Sequence, residues 1–290
     1  MKDTKELLEI LILDDIGDNC FNGISKDIGS PNVFGGQVLA QSLNAAYRTV
    51  PKERILHSLH SYFLEAGNLN IPITYSVQVI RDGGSFSTRR VTAHQNDKTI
   101  FILACSFHRE EEGYEHQMPM KKDLKQPEEL MSWSDMLAQF GDFLPKKLKE
   151  FLSIERPIDF KPVQVVNPLM KEDLPPVVDV WFKLKGNQGD LKLAVKQQIL
   201  TYISDYNILT ACLYPNASKA HFGNTQMASL DHSMWFYRDF DFDDWMLFSI
   251  ESPNSYGARG FACGNIYSRE GKLIASVAQE GLMRPIRKDK

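Results

Sequence analysis

The chain repeats itself on the scale of a domain, and this repeat restricts the possible folds more than any other feature. The first copy reads Gly35-Gly36-Gln37-Val38-Leu39-Ala40-Gln41-Ser42-Leu43, then His57-Ser58-Leu59-His60-Ser61-Tyr62-Phe63, then Lys98-Thr99-Ile100-Phe101-Ile102-Leu103-Ala104-Cys105. The second reads Asp205-Tyr206-Asn207-Ile208-Leu209-Thr210-Ala211-Cys212-Leu213, then Ser229-Leu230-Asp231-His232-Ser233-Met234-Trp235-Phe236, then Lys272-Leu273-Ile274-Ala275-Ser276-Val277-Ala278-Gln279. The order is the same and the spacing nearly so. A period this long points to two similar domains born of a duplication, not to a solenoid. A chain of 290 residues has room for both.

Local patterns give each half the same grammar. Residues 7–13 predict an opening helix, and 33–47 a longer one with apolar positions at helical spacing. The two glycines at the start of that longer helix permit a close backbone approach there. Residues 56–64, 73–81, 85–95 and 99–108 are rich in β-branched and aromatic types and are separated by Gly, Asn and Asp turns, so they predict an antiparallel meander. In the second half, 163–166 and 178–184 predict strands and 191–203 a helix. Ser204-Asp205 predicts a fresh helix start, and 228–237, 245–252, 257–267 and 272–281 predict further strands. Helix then meander, twice, is an α+β arrangement. Between the halves, Pro127-Glu128-Glu129 reads as a helix start and 146–151 as a short helical piece. The expected division is 1–115, a partly helical linker over 116–156, and 157–290.

Totals exclude several classes. A net charge of −4 gives no electrostatic case for nucleic-acid binding, though it leaves room for a local basic pocket. The four cysteines form no Cys-x-x-Cys pair, so free thiols in the reducing cytoplasm are expected. No apolar run approaches the roughly 18 residues of a membrane span, and the amino terminus lacks a signal-peptide pattern. The last residues, Arg287-Lys288-Asp289-Lys290, are not a peroxisomal address. His57 and His60, three apart on a strand, should face opposite sides and not share a metal. Gly83-Gly84-Ser85-Phe86-Ser87 lacks the last glycine of a nucleophile elbow. No metal or other cofactor is expected.

Several motifs together carry a resemblance: Phe34-Gly35-Gly36-Gln37, the His57–Phe63 segment, Arg81-Asp82-Gly83-Gly84-Ser85-Phe86-Ser87-Thr88-Arg89-Arg90, Ser204-Asp205, Leu230-Asp231-His232-Ser233-Met234-Trp235-Phe236 and Gln279-Glu280-Gly281. In this order they resemble the acyl-CoA thioesterase II family over roughly residues 17–284. The resemblance implies a double-hotdog fold, each half a long helix wrapped by a curved antiparallel sheet. It implies hydrolysis of fatty acyl-CoA to free acid and CoA, and association as a homodimer or homotetramer. It carries the family's catalytic trio onto Asp205, Ser229 and Gln279. The family often has Thr where this chain has Ser229. Gly84 departs from the bulkier, often charged residue usual there, which puts a phosphate contact at that point in doubt.

The implied chemistry is self-consistent. Asp205 at a helix N-terminus would be favoured as an anion, with its pKa lowered, and would orient water and take its proton. Ser229 and Gln279 each offer a donor and an acceptor to hold that water. Water is preferred over a covalent acyl-serine, because His232, three residues along the presumed strand, should point away from Ser229. Taken singly, the three residues read more simply as an N-cap, a strand polar group and a solvated strand end. Arg89, Arg90 and Arg259 are candidates for the CoA phosphates, against the commoner reading as exposed strand arginines. Aligned copy to copy, the trio falls opposite Gly35, His57 and Cys105, so one site per chain is expected. Two other readings stay open: a hotdog enoyl-CoA hydratase, disfavoured because neither helix is followed by a suitably placed histidine, and a non-enzymatic acyl-CoA-binding protein.

Overall fold

The computed structural model describes residues 1–144, 146–164 and 172–286. Helix α1 (Thr4–Ile10) is capped by Asp3, whose side chain accepts from Glu6 N. A hairpin follows, β1 (Asp14–Gly17) and β2 (Cys20–Gly23), turning at Asp18 and Asn19 with positive φ. Helix α2 (Gly35–Tyr47) leads into β3 (Ile55–Phe63), β4 (Ile73–Asp82), β5 (Phe86–Gln95) and β6 (Lys98–His108). The expected helix and meander are therefore present almost to the residue.

The connection contains one 3-10 turn at Pro127–Glu129, then α3 (Trp133–Phe140) and α4 (Lys146–Ser153). Pro127 starts only that turn. The real helix start is Ser132, whose hydroxyl accepts from Asp135 N while Asp135 reaches back to Ser132 N. The second half then runs β7 (Ile158–Pro162), β8 (Val177–Leu184), α5 (Leu193–Ser204), a single turn α6 (Thr210–Leu213), β9 (Thr225–Ser229), β10 (Asp231–Phe236), β11 (Met246–Tyr256), β12 (Arg259–Ser268) and β13 (Leu273–Pro285). The strand expected over 163–166 lies earlier, at β7; positions 165 and 166 fall outside the described residues.

Among the described residues thirteen strands join one sheet, in the order β1-β2-β4-β5-β6-β3-β10-β13-β12-β11-β8-β7, with β9 pairing β13. The seam between the halves is the antiparallel pair β3–β10, with Ser61 opposite His232 and Leu59 opposite Met234. The sheet curls around α2 and α5, whose apolar faces share one continuous core with both halves of the sheet. This is the double hotdog.

The two central helices run antiparallel and side by side. Near the end of α2, Asn44 Nδ2 donates to Gln198 Oε1 (2.9 Å) and Tyr47 Oη donates to Gln197 Oε1, both early in α5. At the other end, the start of α2 meets the last turn of α5. A Cβ on Gly36 would lie 2.4 Å from the Tyr202 carbonyl oxygen, so only glycine allows this approach.

The connection has no core of its own, but it seals two surfaces. Its first part crosses the outer face of the second half's sheet, where Leu130, Met120 and Leu124 pack with Trp181, Leu247, Tyr267 and Leu273. Trp181 Nε1 donates to Lys125 O (3.0 Å), and Lys121 pairs with the buried Asp179 (2.9 Å). That cover is why β8 is buried on both faces. Its second part, α3 and α4, roofs the cavity described next.

Candidate active site

Ser204-Asp205 ends a helix where the sequence predicted a beginning. Asp205 is the C-cap of α5, and the chain then passes through Asn207 at φ 67°. A left-handed residue just past the cap is a stop signal. The helix that does point its N-terminus at Asp205 is α2, from the other half. Gly36 N donates to Asp205 Oδ2 (2.9 Å), and a Cβ on Gly35 would sit 2.7 Å from the same oxygen. The expected helix-end electrostatics are thus present but supplied across the repeat.

This also corrects the copy-to-copy alignment. By element order α2 corresponds to α5, so Gly35 matches the start of α5, and the counterpart of Asp205 is Arg48, the C-cap of α2. The two caps therefore differ: the acid that ends α5 turns to the start of α2, whereas the guanidinium that ends α2 turns to Leu13 O and the Phe21 ring.

The three sequence candidates come together. Ser229 Oγ donates to Asp205 Oδ1 (3.2 Å), and Gln279 Nε2 donates to Ser229 Oγ (2.8 Å). Ser229 is the last residue of β9 and Gln279 lies in β13. Burial raises the Asp205 carboxyl from 3.8 to about 6, against the pull of hydrogen bonds from Gln279, Ser229 and Gly36. The expected lowering at a helix end is overturned: desolvation outweighs the donors. A carboxylate near 6 is a better base at neutral pH than an ordinary aspartate.

His232 is a second correction. It does not point away from the trio. It is fully buried, with Nδ1 on Gln279 Oε1 and Nε2 2.9 Å from Ser204 Oγ. The reason lies in the sheet register. Ser229 pairs with Gly281 and Ser233 with Ala278, so four steps along β9–β10 match three along β13. The extra residue is a bulge, and it turns the alternation of side chains over. His232 does not touch Ser229, so it is not placed to activate that hydroxyl. Burial lowers its pKa to about 4, which keeps it neutral.

The trio opens into an apolar cavity of about 960 Å³. Asp205, Ser229, Gln279 and Gly35 line its inner end, while Met131, Trp133, Met136, Phe140, Phe143 and Phe151 come from the connection between the halves. The guanidinium of the buried Arg156 sits over Trp133 and Phe151 (5.0 and 4.4 Å to the ring centroids) and donates to Phe151 O and Ile154 O. It fastens α4 to α3 as a roof. The short helical piece expected over 146–151 is α4, but α3 and the wall that the two build escaped periodicity, because their apolar residues serve a cavity instead of the core.

The other candidates lie elsewhere. Arg89 is buried, paired with Asp82 (2.9 Å), and donates to Thr49, Arg81 and Thr88, so it is neither an exposed strand arginine nor free for a phosphate. Arg90 is exposed, and Arg259 pairs with Glu280 (2.9 Å). At Gly84 the backbone carbonyl accepts from Arg54. His57 is half-buried against Phe86 and His108, and His60 Nδ1 meets Ser233 Oγ across the seam. Cys105 is buried, with its thiol pushed up to about 12 by burial. Among the described residues no cluster of His, Cys, Asp or Glu is arranged to hold a metal.

The comparisons with known proteins agree in both halves. Residues 25–108 match the family model described as acyl-CoA thioesterase N-terminal domain, and 149–282 match the one described as acyl-CoA thioesterase. The chain is 40% identical to acyl-CoA thioesterase 2 of Haemophilus influenzae over 96% of both chains. It is 34% identical to human acyl-coenzyme A thioesterase 8 over 95% of this chain and 88% of that one. Among solved structures, an acyl-CoA thioesterase II from Mycobacterium marinum aligns at a TM-score of 0.78 with 31% identity, covering 98% of this chain and 99% of the other. A hot dog fold protein from Alicyclobacillus acidocaldarius, 16% identical with a TM-score of 0.75 over 95% and 96%, shares the fold alone. With similarity running through both halves and the seam between them, the chain belongs to the acyl-CoA thioesterase family.

Proposed function

We propose that this protein hydrolyses fatty acyl-CoA to free acid and CoA by direct attack of a water held by Asp205, Ser229 and Gln279. The observation that supports this most is the unbroken chain of hydrogen bonds, Gln279 to Ser229 to Asp205 to Gly36 N, opening into an apolar cavity. The acyl chain lies under the α3–α4 roof with its carbonyl carbon at the trio. Water bonds to that carbon as Asp205 takes its proton. The N-terminus of α2 favours the negative charge that develops on the carbonyl oxygen. The C–S bond then breaks, the sulfur leaves with the proton from Asp205, and the carboxylate is regenerated. Positioning the water contributes on the order of 7 kcal/mol in favourable cases.

The two halves and their connection, 1–115, 116–156 and 157–290, act as one catalytic unit with one site. The second half contributes the acid, the first the helix end beside it. Association is through homodimers or homotetramers, and the four free thiols suit the cytoplasm. The direct test is steady-state release of CoA thiol across acyl-CoA chain lengths. Formation of a 3-hydroxyacyl-CoA without thiol release supports a hydratase, and tight binding without turnover supports a binding protein.

Two variants sharpen the assignment. Ser229→Ala removes one link and is expected to lower kcat about a hundredfold. Ser229→Thr keeps the hydroxyl and is expected to stay within about tenfold of the parent; equal kcat values for the two would remove the hydroxyl from the mechanism. Met136→Trp fills the cavity from the roof, and should lower kcat/KM about tenfold for long acyl chains while sparing short ones. An equal effect on every chain length would mean that the acyl group lies elsewhere.

A further inference from the structure

We infer that His232 is a positioning residue of this site: its Nδ1–H holds the carbonyl oxygen of the Gln279 amide and so decides which end of that amide faces Ser229 and Asp205. The inference rests on the hydrolytic reading above and adds to it a residue outside the trio.

An amide side chain has a donor end and an acceptor end of nearly the same shape. Reversed, Gln279 would present its carbonyl oxygen to Ser229, whose own proton already goes to Asp205 Oδ1. Two acceptors would then face each other, and the water would lose a donor. That repulsion is one bias against reversal, acting from the Asp205–Ser229 side, and a contact at the other end of the amide adds a second. His232 makes that contact. Nδ1 stands on Gln279 Oε1 and Nε2 on Ser204 Oγ, so in the tautomer with its proton on Nδ1 the ring donates to the amide oxygen and accepts the Ser204 proton at Nε2. The same Ser204 proton has Thr201 O, in the last turn of α5, as its competing acceptor at 2.9 Å. The result is a directed relay of hydrogen bonds from the end of α5 through the bulged strand to β13 and back to Asp205. His232 and Ser204 are both fully buried, so solvent does not compete for these bonds. Both relay ends lie on one short stretch: Ser204 starts the chain of donors and Asp205, its neighbour, ends it.

The test exploits the two nitrogens separately. Asparagine can place a donor near Nδ1, whereas glutamine reaches toward Nε2. His232→Leu and His232→Gln are expected to lower kcat for decanoyl-CoA by about tenfold to a hundredfold with KM nearly unchanged, and His232→Asn to recover most of that loss. The pH profile supplies a second readout. The groups around Asp205 are Ser229, Gln279, the Gly36 N–H and the phenols of Tyr202 and Tyr206. Gln279 is the donor lost when its amide turns, so the acid limb of kcat/KM should move to higher pH in His232→Leu and return in His232→Asn. Thermal unfolding of each variant separates this from general damage. The inference is overturned if Asn and Leu are equally impaired, if Gln matches the parent, or if kcat falls while the acid limb stays in place. Survival of activity in Asp205→Asn would instead overturn the hydrolytic reading itself.

Discussion

Asp205→Asn should lose CoA thiol release by about a thousandfold or more, and at about pH 7.5 the variant should unfold at a higher urea concentration than the parent. Both effects come from the same cause. The carboxyl is held near 6 by burial, well above its ordinary 3.8. Between those two values the folded protein binds more protons than the unfolded chain, so this group's contribution to stability falls as pH rises and levels off above about 6. A rise of that size corresponds to roughly 3 kcal/mol. Asparagine removes the buried charge but turns an amide N–H toward either Gly36 N or Ser229, so a net gain of about 1–2 kcal/mol is expected. At about pH 4 the gain should vanish, because the parent is then protonated as well. Urea titrations at the two pH values measure this directly. The same value places the acid limb of the parent's kcat/KM near 6. A variant with unchanged turnover, or one destabilised equally at both pH values, would show that Asp205 is neither the base nor a strained anion.

The second large effect is expected far away in sequence. Gly36→Ala brings a methyl to 2.4 Å from Tyr202 O and 2.5 Å from Phe34 Cε1. The carbonyl belongs to the last turn of α5 and cannot retreat without separating the two central helices. A loss of about 1–3 kcal/mol in stability is expected. A fall in kcat of about tenfold to a hundredfold should accompany it, because Gly36 N moves off Asp205. Gly84→Ala is the matched control, since a Cβ there meets nothing within 4 Å. Equal thermal midpoints and turnover for the two variants would mean that the helix contact does not position the acid.

Much of the fold is legible in the sequence because its signals are local. The meander over 55–108 announces itself through alternation and turn residues, and the repeat doubles the information. What escapes is what depends on the partner. Ser and Asp favour N-caps, so Ser204-Asp205 looks like a fresh start after the 191–203 helix when it is that helix's own end, turned to meet the start of α2. The bulge before β10 exists only in pairing with β13, so strict alternation sends His232 to the wrong side. Asp205, Ser229 and Gln279 are individually ordinary, and only family resemblance singles them out. The raised pKa of Asp205 follows from its burial at the inner end of the cavity, which no local pattern encodes. The roof is half hidden for a similar reason: α4 is legible over 146–151, but α3 is not, and the apolar face that both turn to the cavity has no core partner to reveal it.

The hydrogen bond from Gly36 to Asp205 spans 169 residues of chain. It has a genetic consequence. In an assembly of identical single hotdogs, a damaged copy can be masked by an intact one supplying the missing surface. Here the acid and the helix end that cradles it are fused in one polypeptide, and each half holds a part that the other cannot replace. The duplication therefore provides no redundancy. A lesion at Gly36 and a lesion at Asp205 should disable the same turnover, and co-expressing the two defective chains should not restore it.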